Sequence, residues 1–325
     1  MEIHILIGFL CFLATLINLL FALILWFRGK TKATFHLGWV AFFSAIYNFT
    51  FLMIYLSSEP RSMLFWSRAT WLGLLIIPEL LTFVYYFTER TRNLKLKIFI
   101  WYFPAIIFSI LALTTPYFSS EIISVRPPKE KAGPLANVGW GYVAISCSVA
   151  LFYLIKDYFK SQGLKKVQIR YFIVGTSIYV GSGILFAGIL PILNPMVFNE
   201  YVDLSGIFSV FWVGLSTFAI FQKSLFGIKL ILTELLIGIM GVFLIILPFF
   251  MPTTLLKIFT IGFFFLFCLF SYLLIRYTYQ EIRQKEILEE KVRERTRELE
   301  KSKEELEKAY HEVLSEKEKF ERLYK

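Results

Sequence analysis

TTLLKIFTIGFFFLFCLFSYLLIRYTYQEIRQKEILEEKVRERTRELE, residues 253–300, joins two kinds of sequence without a break. Thr253–Ile275 is apolar for the length a helix needs to cross a bilayer. From Gln280 to Lys325 the chain is densely charged and holds neither glycine nor proline. A span that runs directly into a water-facing helix reads as a mechanical output. The sequence therefore divides into a multi-span membrane domain, residues 1–277, and a helical rod, residues 278–325.

Val292, Leu299, Leu306, Val313 and Phe320 recur every seven residues along the rod, the spacing of a coiled-coil position a. Position d then falls on Leu288, Arg295, Ser302, Ala309, Glu316 and Leu323, half of which are polar or charged. Glu281–Lys285, Glu289–Arg293, Glu304–Lys308 and Glu318–Arg322 have the helix-supporting spacing, each pair contributing about 0.2–0.5 kcal/mol. The expectation is a parallel homodimer, because neighbouring membrane domains emit their helices in one direction. A seam with a weak d row suits a rod that shifts between two packings. Plain dimerisation without switching is the alternative.

Upstream, the chain is mostly membrane. It is 57% hydrophobic with mean hydropathy +0.64, above the ~45–50% apolar content of ordinary globular domains. Nine spans are predicted, roughly 3–27, 35–57, 63–88, 97–115, 138–156, 170–193, 204–222, 229–250 and 253–275. With the N-terminus outside, fifteen Lys/Arg fall on the cytoplasmic side, from Arg28 to Arg276, and five on the outer side. That bias orients the protein in the cell (inner) membrane and places the rod in the cytoplasm. The last two spans are divided only by the proline-marked turn Pro248–Thr254. The N-terminus lacks the basic start and small-residue cleavage site of a signal peptide and reads as the first span.

The formal charge of +10 resides in the membrane part: residues 1–277 hold 21 Lys/Arg against 10 Asp/Glu, and residues 278–325 hold 13 against 14. No basic stripe with interleaved aromatics stands outside the membrane, so nucleic acid is not an expected partner. Cys11, Cys147 and Cys268 lie in separate apolar runs and suggest neither disulfides nor a zinc site. The outer segment 116–139, with Pro127, Pro128, Gly133 and Pro134, is too polar to span and is expected to be loose cover. Ser177, Gly181 and Gly188, with Gly238 and Gly241, mark faces where helices approach closely. Trp66, Trp71, Trp101 and Trp140 read as interfacial anchors.

Ionisable residues at membrane depth are costly and are paired or functional. Glu79 follows Pro78 near the middle of the third span, and Arg68 lies eleven residues earlier, about 16 Å along the axis. Those two are not expected to pair. Glu79 either faces a polar pocket that senses a cation, a proton or a small polar ligand, or hydrogen-bonds to Asn18, Asn48 or a tyrosine on a neighbouring helix. Pro78 frees a backbone carbonyl and kinks the span. Glu234 is placed to reach Lys229 or the interface, and Asp203 to begin a helix. His4 and His36 read as interfacial, and His311 lacks the proline-containing continuation of a phospho-acceptor histidine. No nucleotide loop, metal pair or nucleophile–base set stands in the rod. Catalysis and cofactors are not expected of residues 1–325.

The run Trp66-Ser-Arg68, Trp71-Leu-Gly73, Pro78 and Tyr85-Tyr86 resembles the third helix of the seven-transmembrane N-terminal sensor region of bacterial membrane histidine kinases. Gly175, Pro191, Asp203-Leu204 and Leu225-Phe-Gly-Ile228 are similar to the second half of that region. Val292-Arg-Glu294-Arg295-Thr296-Arg-Glu298-Leu299 resembles the signalling helices that join such sensors to kinase or cyclase modules. The resemblance implies an all-α polytopic bundle passing a stimulus to a dimeric coiled coil. It also implies a downstream helix pair and ATPase domain, whereas residues 1–325 end inside the linker. A truncated kinase, a stand-alone sensor with a separate kinase or cyclase partner, and a fragment all accord with that. The rival readings are a transporter or channel with a coiled-coil oligomerisation helix, and a structural membrane anchor.

Overall fold

The computed structural model describes residues 2–125, 128–185, 204–221, 233–242, 244–245 and 254–323. Gly188, Pro191, Asp203, Lys229, residues 225–228 and the Pro248–Pro252 turn lie outside these, as do the side chains of His4, His311, Val313 and Phe320. The chain forms two compact units, Met1–Phe243 and Leu244–Lys325.

The first unit is a helical bundle. Helices α1 (Glu2–Arg28) and α2 (Lys32–Leu56) form an antiparallel pair joined by a three-residue turn. Thr31 caps α2: its hydroxyl accepts from the Thr34 amide at 3.1 Å while Thr34 Oγ1 accepts from the Thr31 amide at 3.1 Å. Five helical stretches among the described residues are long and apolar enough to cross a membrane: Leu6–Arg28, Lys32–Leu56, Pro60–Phe87, Leu94–Thr114 and Ala136–Lys160.

The third of these is broken into three pieces: α3 (Pro60–Ala69), a 3-10 segment (Thr70–Leu75) and α4 (Ile76–Phe87). Pro78 has no N–H to give the Leu74 carbonyl, and its ring crowds that carbonyl. The residues before it wind more tightly instead. Gly73 lies in this segment, where a Cβ would come within 2.6 Å of the Tyr47 ring on α2. Gly73→Ala is therefore expected to displace Tyr47 and cost about 1–3 kcal/mol. The melting temperature of the purified protein would fall; an unchanged value would mean that Tyr47 yields freely.

Every residue from Ile76 to Tyr85 is buried, so α4 is the central helix of the bundle. It packs against α2, α5 (Leu94–Thr114) and α6 (Ala136–Lys160). Leu81, Phe83 and Val84 belong to a core with Leu25, Val40, Leu154, Phe172 and Trp212. Helices α5 and α6 turn apolar side chains outward, among them Phe99, Phe103, Ile110, Ile145 and Phe152. Lipid tails accept such a surface at no cost.

Between α5 and α6, β1 (Ser119–Ser124) and β2 (Lys129–Ala132) form an antiparallel hairpin. The expected loose cover is thus a seated structure. Phe118, fully buried, plugs into the bundle against Trp71 and Phe108. Trp71 is accordingly a core residue rather than an interfacial anchor.

Helix α7 (Gly163–Gly183) packs on α9 (Ser209–Phe221), which follows the single turn α8 (Leu204–Ile207). The close approach is at Gly175, where a Cβ would lie 3.3 Å from the Trp212 Cα. At Gly181, singled out from the sequence, an added Cβ would meet nothing within 4 Å among the described residues. Gly238, in α10 (Thr233–Val242), does meet a neighbour, the Leu20 side chain at 2.7 Å.

The second unit is dominated by α11 (Thr254–Leu323), a single helix of 70 residues, about 105 Å long. It carries the apolar stretch up to Ile275 and the charged stretch beyond it without interruption. Val292, Leu299 and Leu306 are exposed on it. Among the described side chains it bears the ion pairs Arg295–Glu298 at 2.8 Å and Lys303–Glu307 at 3.9 Å.

Candidate functional site

Three helices meet at the Glu79 carboxylate. Glu79 is only 7% exposed. Its Oε2 lies 2.7 Å from His36 Nδ1 on α2, and its Oε1 accepts a hydrogen bond from the Tyr102 hydroxyl on α5. The His36 ring is held flat against Tyr86, with centroids 5.3 Å apart and planes 13° apart. Lys32 Nζ stands 5.7 Å from the centre of the same Tyr86 ring. The Tyr102 hydroxyl donates to one carboxylate oxygen and His36 shares a hydrogen bond with the other, so both oxygens are engaged from different helices. Which of Oε2 and Nδ1 donates depends on the tautomer of His36.

The depth of these residues explains how they meet. His36 lies one turn inside α2, about 6 Å from its start at Lys32. Glu79 lies about 12 Å from the end of α4 at Phe87, and Tyr102 about 12 Å from the start of α5 at Leu94. All three helix ends adjoin the basic loops. Glu79 therefore lies toward the basic end of the bundle rather than at its middle. His36, read from the sequence as interfacial, lies about one turn inside the end of α2, is partly buried and is also a member of this cluster. Of the alternatives for Glu79, a tyrosine on a neighbouring helix is what the structure places beside it. Asn18 and Asn48 go elsewhere. Their side-chain amides both donate to Ser209 Oγ, at 2.9 and 3.1 Å, tying α1 and α2 to α9.

Arg68 and Glu79 do not meet. Arg68 Nε donates to the Ser119 carbonyl at 3.1 Å, and Trp71 Nε1 donates to Ser119 Oγ at 3.3 Å. Arg68 thus anchors the base of the hairpin. Pro78 contributes its carbonyl, which accepts from Thr82 Oγ1 at 2.7 Å, and the break that precedes α4.

The basic end is stitched by ion pairs. Arg28 pairs with Glu234, Arg90 with Asp157 at 2.5 Å, and Lys165 with Glu89 at 2.7 Å. Glu234 was expected to reach Lys229 or the interface; its partner is Arg28 at the end of α1. Arg90 also lies 4.7 Å from the Tyr153 ring centre, and Lys97 5.1 Å from that of Tyr85. The Lys165 ammonium holds the exposed Glu89 carboxyl below its usual range. Many of the charges that bias the loops are therefore also side-chain ties between helices. Among the described residues, no three His, Cys, Asp or Glu side chains gather as metal ligands.

What this arrangement supports is the holding of three helices by one carboxylate. His36 and Tyr102 escaped the sequence reading. The signal for them was a shared end of the bundle: each lies within little more than two turns of a basic loop, as Glu79 does.

A search of curated proteins finds no match to the chain. A family model described as the N-terminal 7TM region of histidine kinase matches residues 10–229. The match runs from within α1 through α9, takes in the whole Glu79 cluster, and ends before α10. The chain belongs to the family of N-terminal seven-transmembrane regions of histidine kinases and is a multi-pass membrane protein.

Proposed function

We propose that the protein is a homodimeric membrane sensor that passes a change in bundle packing to a cytoplasmic coiled coil. The match to the N-terminal 7TM region of histidine kinase supports a sensor role for the bundle. The observation that carries the transducing role is the unbroken helix from Thr254 to Leu323, with exposed apolar residues at seven-residue spacing. An exposed row of Val292, Leu299 and Leu306 is what a second copy would cover, and the sequence repeats the same spacing at Val313 and Phe320. In this reading the bundle has about nine spans, the last of them Thr254–Ile275, an outer N-terminus and a rod inside the cell. The rod drives a kinase or cyclase module. Switching needs a stimulus that favours one state; about 5.5 kcal/mol moves a population from 1:99 to 99:1.

The test is disulfide crosslinking of the full chain in membranes, with the native cysteines changed to alanine. Leu299→Cys and Leu306→Cys are expected to crosslink between chains several-fold faster than Lys301→Cys and Glu304→Cys, which face away from the seam. Equal rates at all four positions would sink the dimer.

A further inference from the structure

We propose that a cavity beneath the hairpin, bounded by the 3-10 segment, is a binding site for a small uncharged ring compound bearing a hydroxyl or carbonyl group. The cavity holds about 270 Å³, close to the lower end of small-molecule sites at ~300–1,000 Å³. Close-packed interiors contain few voids larger than a water. This one is equivalent to about nine water volumes.

The lining states the ligand chemistry. Trp71, Phe118, Trp140 and Trp212 supply aromatic walls, and Leu80 and Val143 add aliphatic ones. Two hydroxyls on the wall, Ser67 and Thr176, are nearly fully buried and have no hydrogen-bond partner among the described residues. A buried polar group without a partner is costly, and a ligand hydroxyl or carbonyl relieves that cost. Among the described residues of the lining, the carboxylate and the ammonium are Glu130 and Lys129 of the hairpin, of opposite sign. The remainder offers no counter-charge, so an ionised ligand would lose its hydration without compensation.

The position of the cavity gives binding a consequence. Its wall includes Thr70, Trp71, Gly73 and Leu74 of the 3-10 segment and Ile76, Ile77 and Leu80 of α4. The same stretch of chain carries Pro78 and Glu79. A molecule that fills the cavity bears on the segment that positions the carboxylate joining α2, α4 and α5. The role as stimulus site rests on the sensor reading above; the binding does not.

The experiment uses the purified full chain in nanodiscs and ligand-observed fluorine NMR. The probes are 4-fluorophenol, fluorobenzene and 4-fluorobenzoate, with empty nanodiscs as the reference for partition into lipid. Saturable binding of 4-fluorophenol is expected, with fluorobenzene weaker and 4-fluorobenzoate absent. Val143→Phe and Cys147→Phe, which fill the cavity from two points, are each expected to weaken 4-fluorophenol at least tenfold. Either variant that keeps the wild-type melting temperature suffices. Thr176→Val combined with Ser67→Ala removes the hydroxyls and is expected to weaken it about three- to tenfold. No saturable binding at millimolar probe, equal binding of 4-fluorobenzoate, or full affinity in a folded cavity-filled variant overturns the site. Crosslinking at Leu299→Cys with 4-fluorophenol present separates the two proposals. Binding without a change in crosslinking removes the stimulus role and leaves the site. Crosslinking that responds to another stimulus while the probe fails to bind overturns the site and leaves the sensor.

Discussion

Replacing Glu79 by alanine is expected to lower the stability of the membrane-inserted protein by about 3 kcal/mol, read by SDS titration of the purified protein in mixed micelles. The carboxylate is the common partner of the Tyr102 hydroxyl and the His36 ring nitrogen. Alanine leaves both groups, each partly buried, without the carboxylate they share. Hydrogen bonds between membrane helices average only ~0.6 kcal/mol, because the unfolded chain in lipid also finds partners. Leaving a polar group without its partner costs ~1–3 kcal/mol, and two groups share this acceptor. The loss of a shared partner therefore sets the magnitude. Glu79→Gln keeps the shape and one acceptor oxygen, so it is expected to cost less than half as much as alanine. Glu79→Ala and Tyr102→Phe are expected to be strongly non-additive, with a coupling of about 1–3 kcal/mol, because each removes the other's partner. A Glu79→Ala protein as stable as wild type within about 0.5 kcal/mol would show that the carboxylate holds nothing together.

The helices were largely legible in the sequence because lipid and backbone chemistry leave little choice. Long apolar runs become helices where no water can satisfy the backbone. The first five predicted spans correspond to helical stretches at Leu6–Arg28, Lys32–Leu56, Pro60–Phe87, Leu94–Thr114 and Ala136–Lys160. The 3-10 segment was half legible: Pro78 announced a break, but its extent depends on Gly73 meeting Tyr47. The Glu79 cluster was less legible. An acid in a span is conspicuous, whereas a histidine near a helix start looks ordinary, and which helices adjoin is a tertiary fact. The close approach at Gly175 was hidden for the same reason: a run of small residues marks several possible contact faces and does not say which one a neighbour uses.

The hairpin was the least legible part, and its dependence on one residue makes it the sharper test. Residues 119–124 read SSEIIS and 129–132 read KEKA. Neither strand carries a sustained alternation, and β2 is exposed along its whole length. An isolated two-stranded hairpin of this kind is marginal in water. What seats it is the residue just before β1. Phe118 is fully buried, 4.6 Å from the Trp71 ring centre and 5.8 Å from that of Phe108. Its carbonyl accepts from the Gly133 amide at 2.7 Å, so the plug and the returning strand are tied. Phe118→Ala removes the ring and leaves a void, at a cost of about 3–5 kcal/mol. The ring packs in the smaller cluster around Trp71 and Ala112 and outside the main core of α4, so the loss is expected to fall on the hairpin as local opening. Amide hydrogen exchange of residues 119–132 should accelerate about a hundredfold or more, at ~1.4 kcal/mol per tenfold. Amides of α4 should exchange within a few-fold of wild type. Phe118→Leu retains most of the apolar volume and should show a much smaller acceleration. Uniform acceleration across hairpin and helices would mean that the plug stabilises the bundle as a whole. Unchanged hairpin exchange would mean that the Arg68 and Trp71 bonds to Ser119 hold the hairpin without it.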